Sequence, residues 1–312
     1  VWIFGDTPLS SPGSDGSSWR SSTWCWTRDF DARDGLDGLN EPVDRKGIPG
    51  EFLPFTKEEQ AYNAVHNRDT LPSEQRSRWA LWPGPLVVDP TTGQAFVFYS
   101  KVFSRVGAWN FEGVGHSLAV WAEPDRPPVR PEVRPGAEEP TLLFPRGDAP
   151  LGAGAVGVGD LLYAYGCQKE GMAFSCIVGR ARFANAMTRE AWRFFAGNGR
   201  WSDDWRAAVP VMTGAPMLSV HWNGHLGRYL AVYSAPLVNT IEIRTAEQPE
   251  GPWSGSRVVV TGRAPTNDKA WDYCGMSHAE LARDNGRVEY ITYCRETGFL
   301  KSEIRLVEVT FK

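Results

Sequence analysis

The chain has 312 residues, 42% hydrophobic and 22% charged, enough to bury a full core and unlike the charge-rich composition of disordered chains. Its 14 Trp, 15 Phe and 9 Tyr beside 32 Gly and 23 Pro suit short strands between tight turns and exclude an all-helical fold. With 33 basic and 37 acidic side chains, a net charge of −4 and no basic run, nucleic acid has no electrostatic footprint, and no apolar stretch reaches the ~18–20 residues of a membrane span.

The chain opens with neither a Met nor a charged leader. This reads as a processing boundary, and a secreted or extracytoplasmic location is expected. Val1 to Phe4 forms an apolar strand that ends in Gly5-Asp6-Thr7. A carboxylate where the chain leaves a sheet is a usual catalytic placement, and Gly5 leaves room for close approach. A turn-forming Asp is the alternative. The long segment from Thr7 to Arg78 carries one helical signal, the capping box Thr56-Lys-Glu-Glu59 before Gln60 to His66.

From Gly84 onward one unit recurs. A strand-like run is followed by a Gly-containing turn and then an aromatic strand: Phe96 to Tyr99, Leu161 to Tyr165, Tyr229 to Tyr233 and Val288 to Tyr293. A third strand follows each time, at Ser117 to Glu123, Phe174 to Phe183, Thr240 to Glu247 and Ser302 to Phe311. Outer fourth strands are expected at Thr141 to Phe144, Trp192 to Phe195 and Arg257 to Val260. With the opening strand as a fifth unit, the pattern predicts an all-β fold over residues 1–312: a single five-bladed β-propeller domain with a long, partly helical insertion in the first blade. A β-sandwich is the alternative. The Pro-rich run Glu123 to Pro140 reads as a stiff surface loop.

Five Cys show no C-x-x-C and no zinc spacing. Cys167 with Cys176, and Cys274 with Cys294, flank two hairpins, so up to two disulfides leave Cys25 free; buried reduced thiols are equally compatible. Gly152-Ala-Gly-Ala-Val-Gly157 matches a dinucleotide fingerprint on paper, but a turn and a strand follow where a helix should open. No nucleophile elbow, Walker loop or His-Glu-x-x-His motif is present. No cofactor is expected, with a structural or axial Ca2+ left open.

Polar residues on inner strands are the first candidates for chemistry. Met217 to Asn223 offers Ser219 and His221, and Gly275 to Leu281 offers Ser277, His278 and Glu280. His278 and Glu280, two apart on an expected strand, face one side, where a carboxyl and an imidazole can share a pocket. A structural polar cluster is the competing reading. Trp82, His116 and Trp222 are candidates to line the rim or channel. The loop residues Trp19, Trp24, Trp26, Trp109, Trp201 and Trp205 offer flat faces that stack on sugar rings or pack between blades.

The stretches Trp2-Ile-Phe-Gly-Asp-Thr7, Ala80-Leu-Trp-Pro-Gly84, Trp192 to Trp201, Ser219-Val-His-Trp-Asn223, Gly227-Arg-Tyr-Leu230, Gly251-Pro-Trp253 and Ser277-His-Ala-Glu280 span almost the whole chain. In them the sequence resembles a bacterial family of domain-of-unknown-function five-bladed propellers, some members of which are endo-D-arabinanases. More distantly it is similar to the furanosidase propellers. The resemblance implies glycoside hydrolysis with Asp6 as one catalytic carboxylate. The family's further acidic residue lies upstream of Gly-Asp-Thr, a position this sequence does not include, so Glu280 is the expected second carboxylate and Glu242 the reserve.

The expected activity is hydrolysis of a furanoside-containing, arabinan-like polysaccharide by a monomer. Asp6 serves as nucleophile or base and Glu280 as general acid, while His221 and His278 orient substrate and tune the acid. A non-catalytic carbohydrate-binding propeller and a polysaccharide lyase are the alternatives.

Overall fold

The computed structural model describes residues 1–68, 70–107, 110–171, 173–263, 272–298 and 301–312. Trp109 lies outside the described residues. The chain divides into two compact units. The first is residues 1–28, 38–152 and 187–189; the second is residues 29–37, 153–186 and 190–312.

The first unit is built on a four-stranded antiparallel meander, Ser77–Val88, Ala95–Arg105, Phe111–Trp121 and Phe144–Pro145. Alternating side chains of the first three strands bury Leu81, Val97, Tyr99 and Ala119 against Trp24, Phe52, Leu53, Trp121 and Leu142. The opening strand Trp2–Phe4 pairs with Thr23–Cys25, and Thr7–Pro8 pairs with Trp19–Arg20. The helix Lys57–His66 forms where its capping box stands: Thr56 Oγ1 accepts from Glu59 N at 3.2 Å, and Glu59 Oε2 accepts from Thr56 N at 2.9 Å.

The second unit contains three sheets. In the first, Gly154–Val158, Leu161–Glu170 and Ala173–Arg182 continue to Arg193–Phe195 and Trp201–Ser202, with Met212–Gly214 beside Ala173–Arg182. The second is Ser219–Asn223, Arg228–Ser234, Thr240–Ala246 and Arg257–Thr261, and the third Tyr273–Ser277, Val288–Gly298 and Lys301–Thr310. Gly154 packs so closely on Leu218 that an added Cβ would lie 2.6 Å from its side chain, so a glycine is required there. The paper dinucleotide motif is therefore a strand edge.

The architecture is all-β and of propeller type, but among the described residues four sheets have the blade meander, not five. The aromatic strands all lie second in their sheets, where burial on both faces selects Tyr, Phe and Val. Trp2–Phe4 falls short of a fifth blade because its paired partner is a three-residue strand. The long segment to Arg78 accordingly precedes the first full sheet instead of interrupting a blade, and Lys57–His66 is the one α-helix among the described residues.

One disulfide forms, Cys167–Cys176. These cysteines are direct cross-strand partners. Cys294 instead faces Tyr273 across the ladder, and Cys274, one residue on, adopts a left-handed φ of 56°. Cys274 and Cys294 are free thiols, as is Cys25.

Candidate active site

In the first unit, one cross-strand row organises the polar residues. Trp82 pairs with Ser100 and Ser100 with His116, so the three side chains share a face. Ser100 Oγ lies 3.0 Å from His116 Nδ1, and burial pushes the imidazole down to about 4, leaving it neutral at physiological pH. At the other end of the row, Trp82 Nε1 donates to Asp6 Oδ2 at 3.1 Å. Arg78, four residues before Trp82 and on the same face of the strand, brings Nη2 to 4.0 Å from Asp6 Oδ1. Its guanidinium lies 3.5 Å from the centroid of the Trp19 ring.

Asp6 stands between strands, after Phe4 has paired with Thr23 and before Thr7 pairs with Arg20. Its side chain remains 43% exposed. Burial raises its carboxyl above the ordinary value, against the downward pull of Arg78 and the Trp82 and Trp19 indoles. Nothing lies within 4 Å of a Cβ added at Gly5, so close packing does not account for that glycine.

The second unit holds two imidazole–carboxyl pairs. His278 Nδ1 is 3.2 Å from Glu280 Oε1, and His278 Nε2 is 2.8 Å from Thr292 Oγ1. The two meet as expected but not on a strand: extended pairing ends at Ser277, and His278 precedes the 3-10 turn Ala279–Leu281. Leu281 is buried, so the chain turns inward where the alternating pattern predicts that it would run on. Burial favours the neutral acid at Glu280, but the His278 hydrogen bond and charge outweigh it and hold the carboxyl below its ordinary value. Glu280 is thus a carboxylate at neutral pH, the form of a base.

His221 Nε2 is 3.0 Å from Glu289 Oε1, which also receives Asn223 Nδ2 at 2.7 Å, while Ser277 Oγ donates to Glu289 Oε2 at 2.6 Å. Burial opposes the charge on Glu289, yet these donors keep its carboxyl below the ordinary range. With Glu289 only 1% exposed, this cluster has the form of a buried structural network. Glu242 accepts from Tyr233 at 3.0 Å, and Arg244 Nε donates to the same Tyr233 oxygen at 3.0 Å. Trp222 is 53% exposed and meets Tyr229 edge-on. Among the described residues no three His, Cys, Asp or Glu side chains cluster to hold a metal ion, and no helix is long and apolar enough to cross a membrane.

A family model described as Domain of unknown function (DUF4185) matches residues 133–290, just over half of the chain. The chain belongs to the DUF4185 family. No curated protein matches this DUF4185 chain. Among solved structures it is similar to a candidate hydrolase of Bacteroides ovatus ATCC 8483, 13% identical over 96% of this chain and 76% of that one, with a TM-score of 0.59. At that identity the likeness is one of fold. A family 117 glycoside hydrolase of the marine bacterium Zobellia galactanivorans is 14% identical over 78% of this chain and 63% of its own length, with a TM-score of 0.46. The DUF4185 chain thus spans less than two thirds of that enzyme. An endo-1,4-beta-xylanase of Bacteroides thetaiotaomicron is 11% identical over 75% and 76%, with a TM-score of 0.43.

Sequence reasoning about this DUF4185 member missed Arg78, Ser100, Glu51 and Glu289. Glu289 had a legible signal, an acid between Val288 and Tyr290 at the head of an aromatic strand. Arg78 and Ser100 emerge from register, and Glu51 from a loop without period. The loop tryptophans divide: Trp24 is buried at 3%, Trp201 packs on Tyr163 and Phe195 with Arg180 over its ring, and Trp19 carries Arg78.

Proposed function

We propose that this protein is a glycoside hydrolase that cuts a furanoside-containing, arabinan-like polysaccharide, with Asp6 as nucleophile or base. The observation that carries the reading is the setting of Asp6: a solvent-open carboxylate at a strand end, oriented by an indole N–H and a guanidinium, with Trp19 and Trp82 beside it. Glycosidic cleavage needs a carboxylate held in one orientation, and indole faces bind sugar rings by stacking. Trp82 orients the carboxylate, and the neutral His116 at the far end of the row is a hydrogen-bonding group for substrate hydroxyls. An extracytoplasmic location is part of the proposal, supported by the Cys167–Cys176 disulfide.

A screen of furanoside-containing polysaccharides for released oligosaccharides tests the reading directly. Asp6→Asn keeps the size and one acceptor of the side chain but removes its charge, and hydrolysis should fall roughly a thousandfold. Undiminished product release by that variant would sink the assignment. Glu280→Gln, with Glu242→Gln and His221→Ala beside it, separately tests the second unit's polar groups as participants. A non-catalytic carbohydrate-binding role is favoured by one observation, that Glu280 is held ionised and not as a proton donor. Glycan binding through exposed Trp222, without product from any polysaccharide, would establish it.

A further inference from the structure

A cleft of about 190 Å3 opens on the first sheet of the second unit, lined wholly by residues of that unit. Strand register builds its base. Gly166, Gln168 and Glu170 alternate along Leu161–Glu170 on one face, with Ile177 paired to Gly166 and Ser175 to Gln168. Cys167 and Cys176 are the pair between them and turn to the opposite face, where they pack into the apolar core. Their disulfide ties the two strands together beneath the cleft. Gly166 adds no side chain, so the floor there is backbone and Ile177. The wall is the segment from Trp205 to Pro210. Asp204 Oδ1 accepts from Arg206 N at 3.0 Å at the head of the 3-10 turn Trp205–Ala207. Val209 N donates to Phe195 O at 2.9 Å and Val211 N to Cys176 O at 2.8 Å. These bonds fix the wall along its length, so the cleft is preformed.

Its polar groups are unused by the fold. Gln168 and Glu170 are exposed, and with Ser175 they make no side-chain hydrogen bond among the described residues. Trp205 is half-buried, and its Nε1–H is shielded from solvent with no acceptor in the chain. Glu170 and Arg206 are the charges among the lining residues, one of each sign. Arg206 is already engaged, with Nη1 3.8 Å from Asp204 Oδ1 and its guanidinium 5.2 Å from the centroid of the Trp205 ring. A balanced lining gives a net-charged ligand no electrostatic advantage. Carboxylate, amide and hydroxyl groups side by side instead match a ligand that both donates and accepts through neighbouring hydroxyls. We propose that this cleft is a binding subsite for a single neutral sugar residue of a glycan chain. Glu170 accepts from its hydroxyls, Gln168 and Ser175 donate and accept, and Trp205 supplies apolar surface beside an unmet N–H donor. Volume sets the size of the ligand: at ~30 Å3 per water the cleft holds on the order of six waters, the room of one ring, below the ~300 Å3 of sites for larger ligands. The subsite is independent of the reaction assigned to Asp6.

The test is an NMR titration of the full chain, labelled at the tryptophan indole nitrogens, with methyl glycosides of arabinose, galactose, glucose and xylose. The Trp205 indole signal, assigned by its loss in Trp205→Phe, should shift saturably at millimolar sugar for at least one of them. Gln168→Ala combined with Glu170→Ala should weaken that binding about tenfold or more. Both positions are exposed, and an unchanged melting temperature separates lost contacts from lost structure. No shift with any of the sugars, or a shift undiminished in the double variant, would overturn the proposal. So would saturation by glycylglycine in place of the sugars, because a zwitterion uses Glu170 and Arg206 as a charge pair. Sugar binding at Trp205 without product release from any polysaccharide would remove the hydrolase reading and leave the subsite standing.

Discussion

Glu51 and Glu59 lie eight residues apart in one loop-and-helix segment of the first unit, and their surroundings shift the two carboxyls in opposite directions. Glu51 is surrounded by serine hydroxyls and backbone N–H groups, and burial wins, pushing it up to about 7. Glu59 is more deeply buried, at 3% exposure, yet is held down at about 2. Burial is the largest influence on Glu59 as well, but Arg130 meets it with bonds of 2.7 and 3.1 Å and Lys101 Nζ lies at 2.8 Å. At Glu51 the hydrogen-bonding dipoles do not offset the cost of burial, whereas at Glu59 two hydrogen-bonded cations do. The first arrangement leaves a group able to change state; the second makes a permanent fastening that ties the helix to the first sheet and to the Pro-rich loop, where Lys101 also reaches Glu139 at 2.5 Å.

The sharpest way to break the comparison is Glu59→Gln, which leaves Lys101 and Arg130 buried without their shared anion. Denaturant unfolding should show a loss of about 3–5 kcal/mol at neutral pH. A loss below about 1 kcal/mol would mean that Glu139 alone suffices for both cations. The sign of the acid response follows from the lowered value: Glu59 contributes stability above its ordinary 4.5 and loses it as pH falls toward about 2. Glu59→Gln should therefore lack that part of the acid transition.

Glu51→Gln should behave in the opposite sense. A carboxyl raised from 4.5 to about 7 binds more protons in the folded state, so its contribution is most favourable below 4.5 and is lost as pH rises through about 7. Melting curves should show a wild-type decline over that window, on the order of 2 kcal/mol, that Glu51→Gln lacks. A parallel decline in both proteins would place the proton elsewhere. The smallest effect is expected of Thr56→Ala, which removes the helix cap while leaving the Glu59 cluster in place. A loss of about 1 kcal/mol by urea unfolding is expected; no loss would show that the cations, not the cap, hold the helix end.

Much of the fold was legible because blade strands have period two and their hairpins need Gly, Asn or Asp at the turn. Phe96 to Tyr99 and Val288 to Tyr293 therefore announced their sheets. The fifth unit misled because Val1 to Phe4 has strand composition, while blade formation depends on a partner the local pattern does not encode; Thr23–Cys25 offers just three residues. Asp6 was legible as a carboxylate at a strand end. Its partners were not, because Arg78 and Trp82 reach it across 72 and 76 residues of sequence. His278 and Glu280 were paired correctly for the wrong local reason, since a turn rather than a strand brings them together.

The amino-acid order by itself determined the all-β character, the hairpin positions, the capped helix at Lys57–His66 and the acid that ends the first strand, because each depends on local conformational preference or on a period of a few residues. Charge states and partnerships were decided only in the tertiary structure. Two glutamates of the same segment became a proton-holding group and a fixed anion according to whether serines or cations were folded against them. Desolvation and Coulomb interaction depend on distance in space, and the spacing of letters along the chain does not carry that distance.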